Sequence, residues 1–159
     1  MAKQQSNNLL KLVFSIGLPL AVGFAGGIST YQSISTWYVY LNKPSFNPPN
    51  WVFGPVWLIL YVLMGISLYL VWVSKKKNVV AVEIFLIHLL LNYFWSYIFF
   101  GLHNIGLAFV EIIALWFSIV IVAFKFWKIN KTSTYLLIPY LAWVSFATLL
   151  NFMVLILNP

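Results

Sequence analysis

The sequence predicts an all-α membrane protein, a bundle of five transmembrane helices with a structured loop between the first and the second. Three observations predict it. Of 159 residues, 63% are hydrophobic and only 7% charged, far from the balance that covers a water-soluble surface. The apolar residues gather into five runs of about 20, the length that carries a helix across ~30 Å of hydrocarbon. Between the runs lie the charges, the turn residues and one segment dense in proline. A single domain, residues 1–159, uses the whole length.

The first run, Leu9 to Ile28, follows Lys3 and Lys11 and ends among small residues near Ala25 and Gly27. It is long for the apolar region of a secretory signal and is read as a span. Gly23 and Gly27 give it a small-xxx-small spacing, suited to a dimer or to an internal helix contact. Pro19 here, and Pro139 in the fifth run, each remove a backbone hydrogen bond and predict a kink. The connection that follows contains KPSFNPPNWVFGPVW, Lys43 to Trp57. Its prolines lack donors and restrict the chain, so they hold a loop in a defined shape at low entropic cost. Asn50 is expected to cap the second helix, with Trp51 in its first turn.

The second run, Val52 to Val73, stops at Ser74-Lys75-Lys76-Lys77-Asn78, and the third, Val79 to Phe100, at Gly101-Leu102-His103-Asn104. The fourth spans Gly106 to Phe126 and breaks at Lys128 to Ser133; the fifth spans Thr134 to Leu157. Five crossings place Lys3, Lys11, Lys75, Lys76, Lys77, Lys125, Lys128 and Lys131 on one side and Lys43 alone on the other. The positive-inside rule then predicts a cytoplasmic N-terminus, an external C-terminus and an external proline-rich loop.

The net charge of +7 comes from nine lysines in short connections, which build no basic face for nucleic acid. Cysteine, aspartate and arginine are absent, which removes disulfides, thiolate metal sites and most paired-carboxylate chemistry. The third span aligns His88, Asn92, Trp95 and Phe99 on one stripe. Gly54, Trp57, Tyr61 and Gly65 or Met64 do so on the second, and Tyr140, Trp143 or Val144, Ala147 and Asn151 on the fifth. Converging, the three stripes would wall a mostly apolar pocket for a flat hydrophobic ligand. The competing reading is plain helix packing, with each intramembrane amide bonded to a neighbouring helix.

Glu83 and Glu111 are read as carboxylates near helix N-termini, where the helix dipole favours them, in preference to mid-membrane proton carriers. His88 is either hydrogen-bonded core or a haem ligand, and His103 lies in a short loop, solvated. No metal site is expected.

These blocks resemble the TspO/MBR family, the tryptophan-rich sensory proteins and mitochondrial translocator proteins. The likeness rests on Trp37-Tyr38, Leu41, Lys43-Pro44-Ser45-Phe46-Asn47-Pro48-Pro49, Trp51-Val52-Phe53-Gly54-Pro55-Val56-Trp57, Leu60-Tyr61 and Met64-Gly65. It continues through Asn92, Trp95 and Phe99-Phe100-Gly101, then Pro139-Tyr140-Leu141-Ala142-Trp143, Phe146-Ala147 and Leu150-Asn151. It covers nearly the whole chain in order. The resemblance implies a five-helix bundle, often dimeric, in the bacterial cell membrane. The implied ligands are protoporphyrin IX or haem and, in some members, cholesterol or benzodiazepine-type compounds. It also implies light- and oxygen-dependent breakdown of protoporphyrin IX, with no further cofactor required. Carried over by residue, Trp51 and Trp143 are the candidates for that chemistry. Pro44, Phe53, Trp57, Tyr61, Asn92, Trp95, Phe146, Ala147 and Leu150 would line the pocket, and Tyr31 would close it. One departure concerns sterol. Phe152 stands where animal members carry a tyrosine, and Met153 to Pro159 hold no basic residue, so the family's cholesterol motif is incomplete.

Overall fold

Five long helices account for most of the chain in the computed structural model, which describes residues 2–76 and 79–159. They are α1 (Ala2–Ile34), α2 (Asn50–Trp72), α3 (Val79–Ser96), α4 (Ile105–Trp127) and α5 (Lys131–Leu157). All five are long and apolar enough to cross a membrane, and no strand occurs among the described residues. The expected all-α, five-span bundle is thus present. α1, α2, α4 and α5 exceed or match their apolar runs, because polar flanks continue the hydrogen-bonded spiral beyond the hydrocarbon; the regular part of α3 stops at Ser96, short of the expected Phe100. Lys77 and Asn78, in the predicted second break, lie outside the described residues.

The helices close into a ring. α1 packs on α2, α2 on α5, α5 on α4, α4 on α3 and α3 back on α1. Its core is continuous, with Met64, Leu68, Val71, Phe85, Ile112, Leu115, Val122, Phe126, Leu137 and Tyr140 all essentially sealed. Gly65 brings two helix backbones close together. A Cβ there would lie 2.5 Å from Ile16 Cα and 2.8 Å from the Ser15 carbonyl oxygen, so only glycine admits α1 at this distance. Ser15 is the residue four before Pro19, whose missing N–H leaves that carbonyl without its usual helical donor. α1 nevertheless runs unbroken through Pro19, as α5 does through Pro139.

Caps come from asparagine, though not where the sequence suggested for α2. Asn104 Oδ1 accepts from Leu107 N at 2.9 Å and Asn130 Oδ1 from Ser133 N at 3.3 Å, starting α4 and α5. Asn50 instead is the first residue of α2, and the cap position belongs to Pro49 with no side-chain bond. Proline ahead of the helix already restricts the entering backbone, so an amide cap adds little. α3 ends in a single π-turn, Tyr97–Gly101, where Leu102 N bonds Tyr97 O at 2.9 Å.

The α1–α2 connection is ordered by its own side chains. A short 3₁₀ turn, Tyr38–Tyr40, drives Tyr38 inward, where its hydroxyl donates to Asn47 Oδ1 at 3.0 Å. Asn47 Nδ2 donates to Pro48 O, and its backbone N–H to Pro44 O. Asn42 and Asn158 clasp the loop to the end of α5. Asn42 N donates to Asn158 Oδ1 at 2.9 Å, and Asn158 Nδ2 returns a bond to Asn42 O at 2.9 Å and another to Val154 O at 2.8 Å.

Candidate functional site

The half of the bundle nearest this loop is hollow. A cavity of about 680 Å³ lies between α1, α2, α3 and α5, within the range of ordinary ligand sites. α1 supplies Leu20, Gly23, Phe24, Gly26, Gly27, Thr30, Tyr31 and Ile34. From α2 come Asn50, Phe53, Gly54, Trp57, Leu58 and Tyr61; from α3 and its π-turn, Asn92, Trp95, Ser96, Phe99 and Phe100. α5 adds Ala147, Leu150, Asn151 and Val154, and Tyr38 reaches in from the loop. No lysine, histidine or carboxylate is on this wall.

Eight of the expected ligand-contacting residues meet here: Tyr31, Phe53, Trp57, Tyr61, Asn92, Trp95, Ala147 and Leu150. Four expected residues do not. Pro44 is buried within the loop. Trp51 is 75% exposed, one residue beyond Asn50. Trp143 and Phe146 face a separate groove of about 440 Å³ between α2 and α5. Their link to the cavity is indirect, through an edge contact of 5.8 Å between Trp143 and Phe53.

The intramembrane amides do both things the sequence left open: they bridge helices and they face the cavity. Tyr61 OH donates to Asn92 Oδ1 at 2.8 Å, while Asn92 Nδ2 donates to Tyr140 OH at 3.1 Å. One amide therefore ties α2, α3 and α5. Asn151 works in parallel, accepting from Trp95 Nε1 at 3.1 Å and donating to Ile105 O at 3.1 Å. Rings reinforce these ties: Trp57 stacks on Tyr61 at 5.4 Å and Trp95 on Phe99 at 5.6 Å. Two indoles are thus held in fixed orientation on the wall.

The α1 wall was not expected from the sequence beyond Tyr31. Its signal was present as Gly23, Gly27 and Thr30, a helical stripe of small and polar residues that ends at Ile34. Gly23 serves an internal contact, since a Cβ there would meet the Tyr61 ring at 2.1 Å. Gly27 has nothing within 4 Å of that position and opens onto the cavity. Between them, Ser96 Oγ donates to Gly26 O at 2.9 Å and shares a 3.0 Å bond with Thr30.

His88 and Glu111 stand apart from the wall. His88 is fully buried, with Nδ1 2.6 Å from Phe85 O, Nε2 without a partner, and its ring edge-on to Tyr140 at 5.7 Å. This is the core arrangement rather than an open ligand position. Glu111 lies in the second turn of α4, beyond the end where the dipole acts. Both its oxygens are sealed without a hydrogen-bond partner, so the helix-end reading fails for it. His103, in a left-handed conformation with φ 53°, is exposed yet held. It stacks on Trp37 at 4.3 Å, and its Nε2 lies 3.1 Å from Ser33 Oγ.

At the loop end, Lys43 Nζ donates to Leu41 O at 2.9 Å and Val39 O at 3.3 Å and sits 4.7 Å from the centre of the Tyr38 ring. Partial burial lowers its pKa from the ordinary lysine value. Burial raises that of the Tyr38 phenol, against the opposing pull of its bond to Asn47.

The comparisons with known proteins agree with this architecture. Residues 15–157 match the model of the TspO/MBR family. The chain is 47% identical to the tryptophan-rich protein TspO of Archaeoglobus fulgidus over 152 residues, covering 95% of this chain and 99% of that one. It is 46% identical to the protein of the same name from Chlorobaculum tepidum, covering 97% and 99%. Identity to the translocator protein of Homo sapiens is 39%, over 82% of this chain and 80% of the human one. A multi-pass integral membrane bundle, a cavity walled by the motif residues and family agreement across nearly the whole length converge: the chain belongs to the TspO/MBR family.

Proposed function

We propose that this protein binds a flat, largely apolar tetrapyrrole, protoporphyrin IX or haem, in the cavity of the five-helix bundle and promotes light- and oxygen-dependent degradation of bound protoporphyrin IX. One observation carries the binding reading: a cavity of about 680 Å³ whose wall is aromatic, nearly apolar and free of charge. Such a wall favours the face of a conjugated ring and supplies hydrogen bonds only at fixed points. Benzodiazepine-type ligands suit it for the same reason. For the chemistry, light and oxygen supply the driving force, and the protein contributes orientation and exclusion of competing reactions. Trp51 and Trp143 are the proposed participants, Trp51 beside the wall residue Asn50 and Trp143 against Phe53.

Illumination of the purified protein with protoporphyrin IX should bleach the porphyrin absorbance, with no loss in the dark. Trp51→Phe combined with Trp143→Phe should slow that bleaching. An unchanged rate in the double variant removes both residues from the mechanism and leaves Trp57 and Trp95, which lie on the wall itself.

A second reading, in which the ligand is bound and handed on without chemistry, is favoured by the side of the cavity facing lipid. Phe24, Tyr31 and Leu58 line the cavity yet are 76%, 82% and 56% exposed, so a lipophilic ligand has a lateral route. Proton-coupled transport fits poorly, since the cavity wall holds no carboxylate. Porphyrin flux into sealed proteoliposomes would favour the carrier; its absence would leave binding and degradation. For orientation, we place the N-terminus in the cytoplasm. Lys11, Lys75, Lys76, Lys125, Lys128 and Lys131 cluster at the bundle end opposite the loop, and Lys43 stands alone at the other.

A further inference from the structure

The cavity is closed at one end and its wall carries no charged side chain, and this bears on the ligand's polar groups. Along α1 it runs from Leu20 to Ile34, about 21 Å of helix. Tyr61 and Asn92, bonded to each other, close it toward the middle of the bundle. Toward the loop it ends at Tyr38 and Val154. A carboxylate placed anywhere along this wall meets no cation, and an unpaired buried carboxylate is strongly disfavoured. An acidic ligand must therefore keep its acid edge at the loop end.

Two geometric ties bring Lys43 to that end. Its ammonium lies 4.7 Å from the centre of the Tyr38 ring, itself part of the wall. The preceding residue, Asn42, is clasped through Asn158 to the carbonyl of Val154, another wall residue. The Leu41 and Val39 carbonyls occupy two of the three ammonium donors, which leaves one N–H for a ligand. Of the histidine and acidic side chains among the described residues of this half, His103 is stacked on Trp37 and Glu111 is sealed in α4. Neither is on the wall.

We infer that Lys43 anchors the carboxylate edge of the ligand, so that the site selects flat amphiphilic anions with the apolar body in the cavity and the acid at the loop. The inference rests on the tetrapyrrole reading above and sharpens it to the free acid rather than a neutral ring. A charge-assisted hydrogen bond of this kind corresponds to about a tenfold preference or more.

The test compares protoporphyrin IX with its dimethyl ester, binding followed by quenching of tryptophan fluorescence in detergent. Wild-type protein should bind the acid about tenfold more tightly than the ester. Lys43→Met should erase that difference while keeping the ester affinity, which also shows that the variant is folded; Lys43→Arg should keep the preference. If the acid-to-ester ratio is the same in wild type and Lys43→Met, the anchor is overturned and tetrapyrrole binding stands. Should wild type bind neither compound, the functional reading falls and this inference with it.

Discussion

The two halves of the bundle are built on opposite principles. At the lysine-rich end, Leu68, Val71, Phe85, Val122, Phe126 and Leu137 are each 2% exposed or less, and Phe85 and Phe126 stack in parallel at 5.7 Å. Short polar ties cross between helices there: Ser67 Oγ donates to Ser133 O at 2.7 Å and Thr134 Oγ1 to Ala123 O at 3.0 Å. At the loop end α1, α2, α3 and α5 enclose a void, and polar groups such as Asn92 and Asn151 face it. The solid half fixes helix spacing, and that spacing lets the other half remain open without collapse. α1 shows the contrast within one helix: tightly apposed to Gly65 at its middle, it becomes a thin outer wall beyond Gly23.

If the halves are separable in this way, damage to the solid half should cost stability without altering the site. Phe126→Ala is expected to destabilise the protein by about 3–5 kcal/mol, seen as a lower melting temperature in detergent, while the folded fraction keeps its ligand affinity. A parallel loss of affinity would show that the division is false.

Asn92→Leu acts at the boundary. It strands the Tyr61 and Tyr140 hydroxyls, a cost of about 1–3 kcal/mol for buried groups left unpaired. Ligand binding should weaken as well, because α2 loses its tie to α3. Intact affinity in this variant would mean that the amide bridge does not shape the cavity.

Gly27→Leu has the smallest effect on stability and is expected to move stability and binding in opposite directions. The new side chain meets open space and replaces a poor helix former, a gain of up to about 1 kcal/mol. It also occupies the cavity. The melting temperature should hold or rise as ligand affinity falls; retained affinity would place the ligand elsewhere, the α2–α5 groove lined by Trp143 and Phe146 being the first alternative.

Much of this was legible in the sequence, and the limits are physical. The spans were readable because hydrocarbon imposes length and composition on each helix. Helix faces gave Trp57, Tyr61, Asn92 and Trp95 correctly placed on one wall, since 3.6-residue periodicity fixes which side chains share a side. Rotation about a helix was harder to read. Trp143 and Ala147 are four apart, yet only Ala147 reaches the cavity, because Trp143 lies against Phe53 and fills the α2–α5 side. The dipole reading of Glu111 failed because the start of α4 was marked by the Asn104 cap, and the acid falls a turn too late. Nor did the linear sequence signal that His103 would clasp Trp37 and Ser33, since that contact joins residues some 66 and 70 positions apart.

The π-turn at the end of α3 carries one more consequence, best put in terms of the gene. A π-turn holds one residue more than an α-turn, as a single-codon insertion leaves behind. Trp95, which precedes the turn, and Phe99 and Phe100, which belong to it, all line the cavity. Deleting the codon for Ile98 would restore an ordinary α-turn and redraw the part of the wall that Phe99 and Phe100 form. The breadth of the aromatic wall is thus set by the reading length of α3 as well as by its residue types.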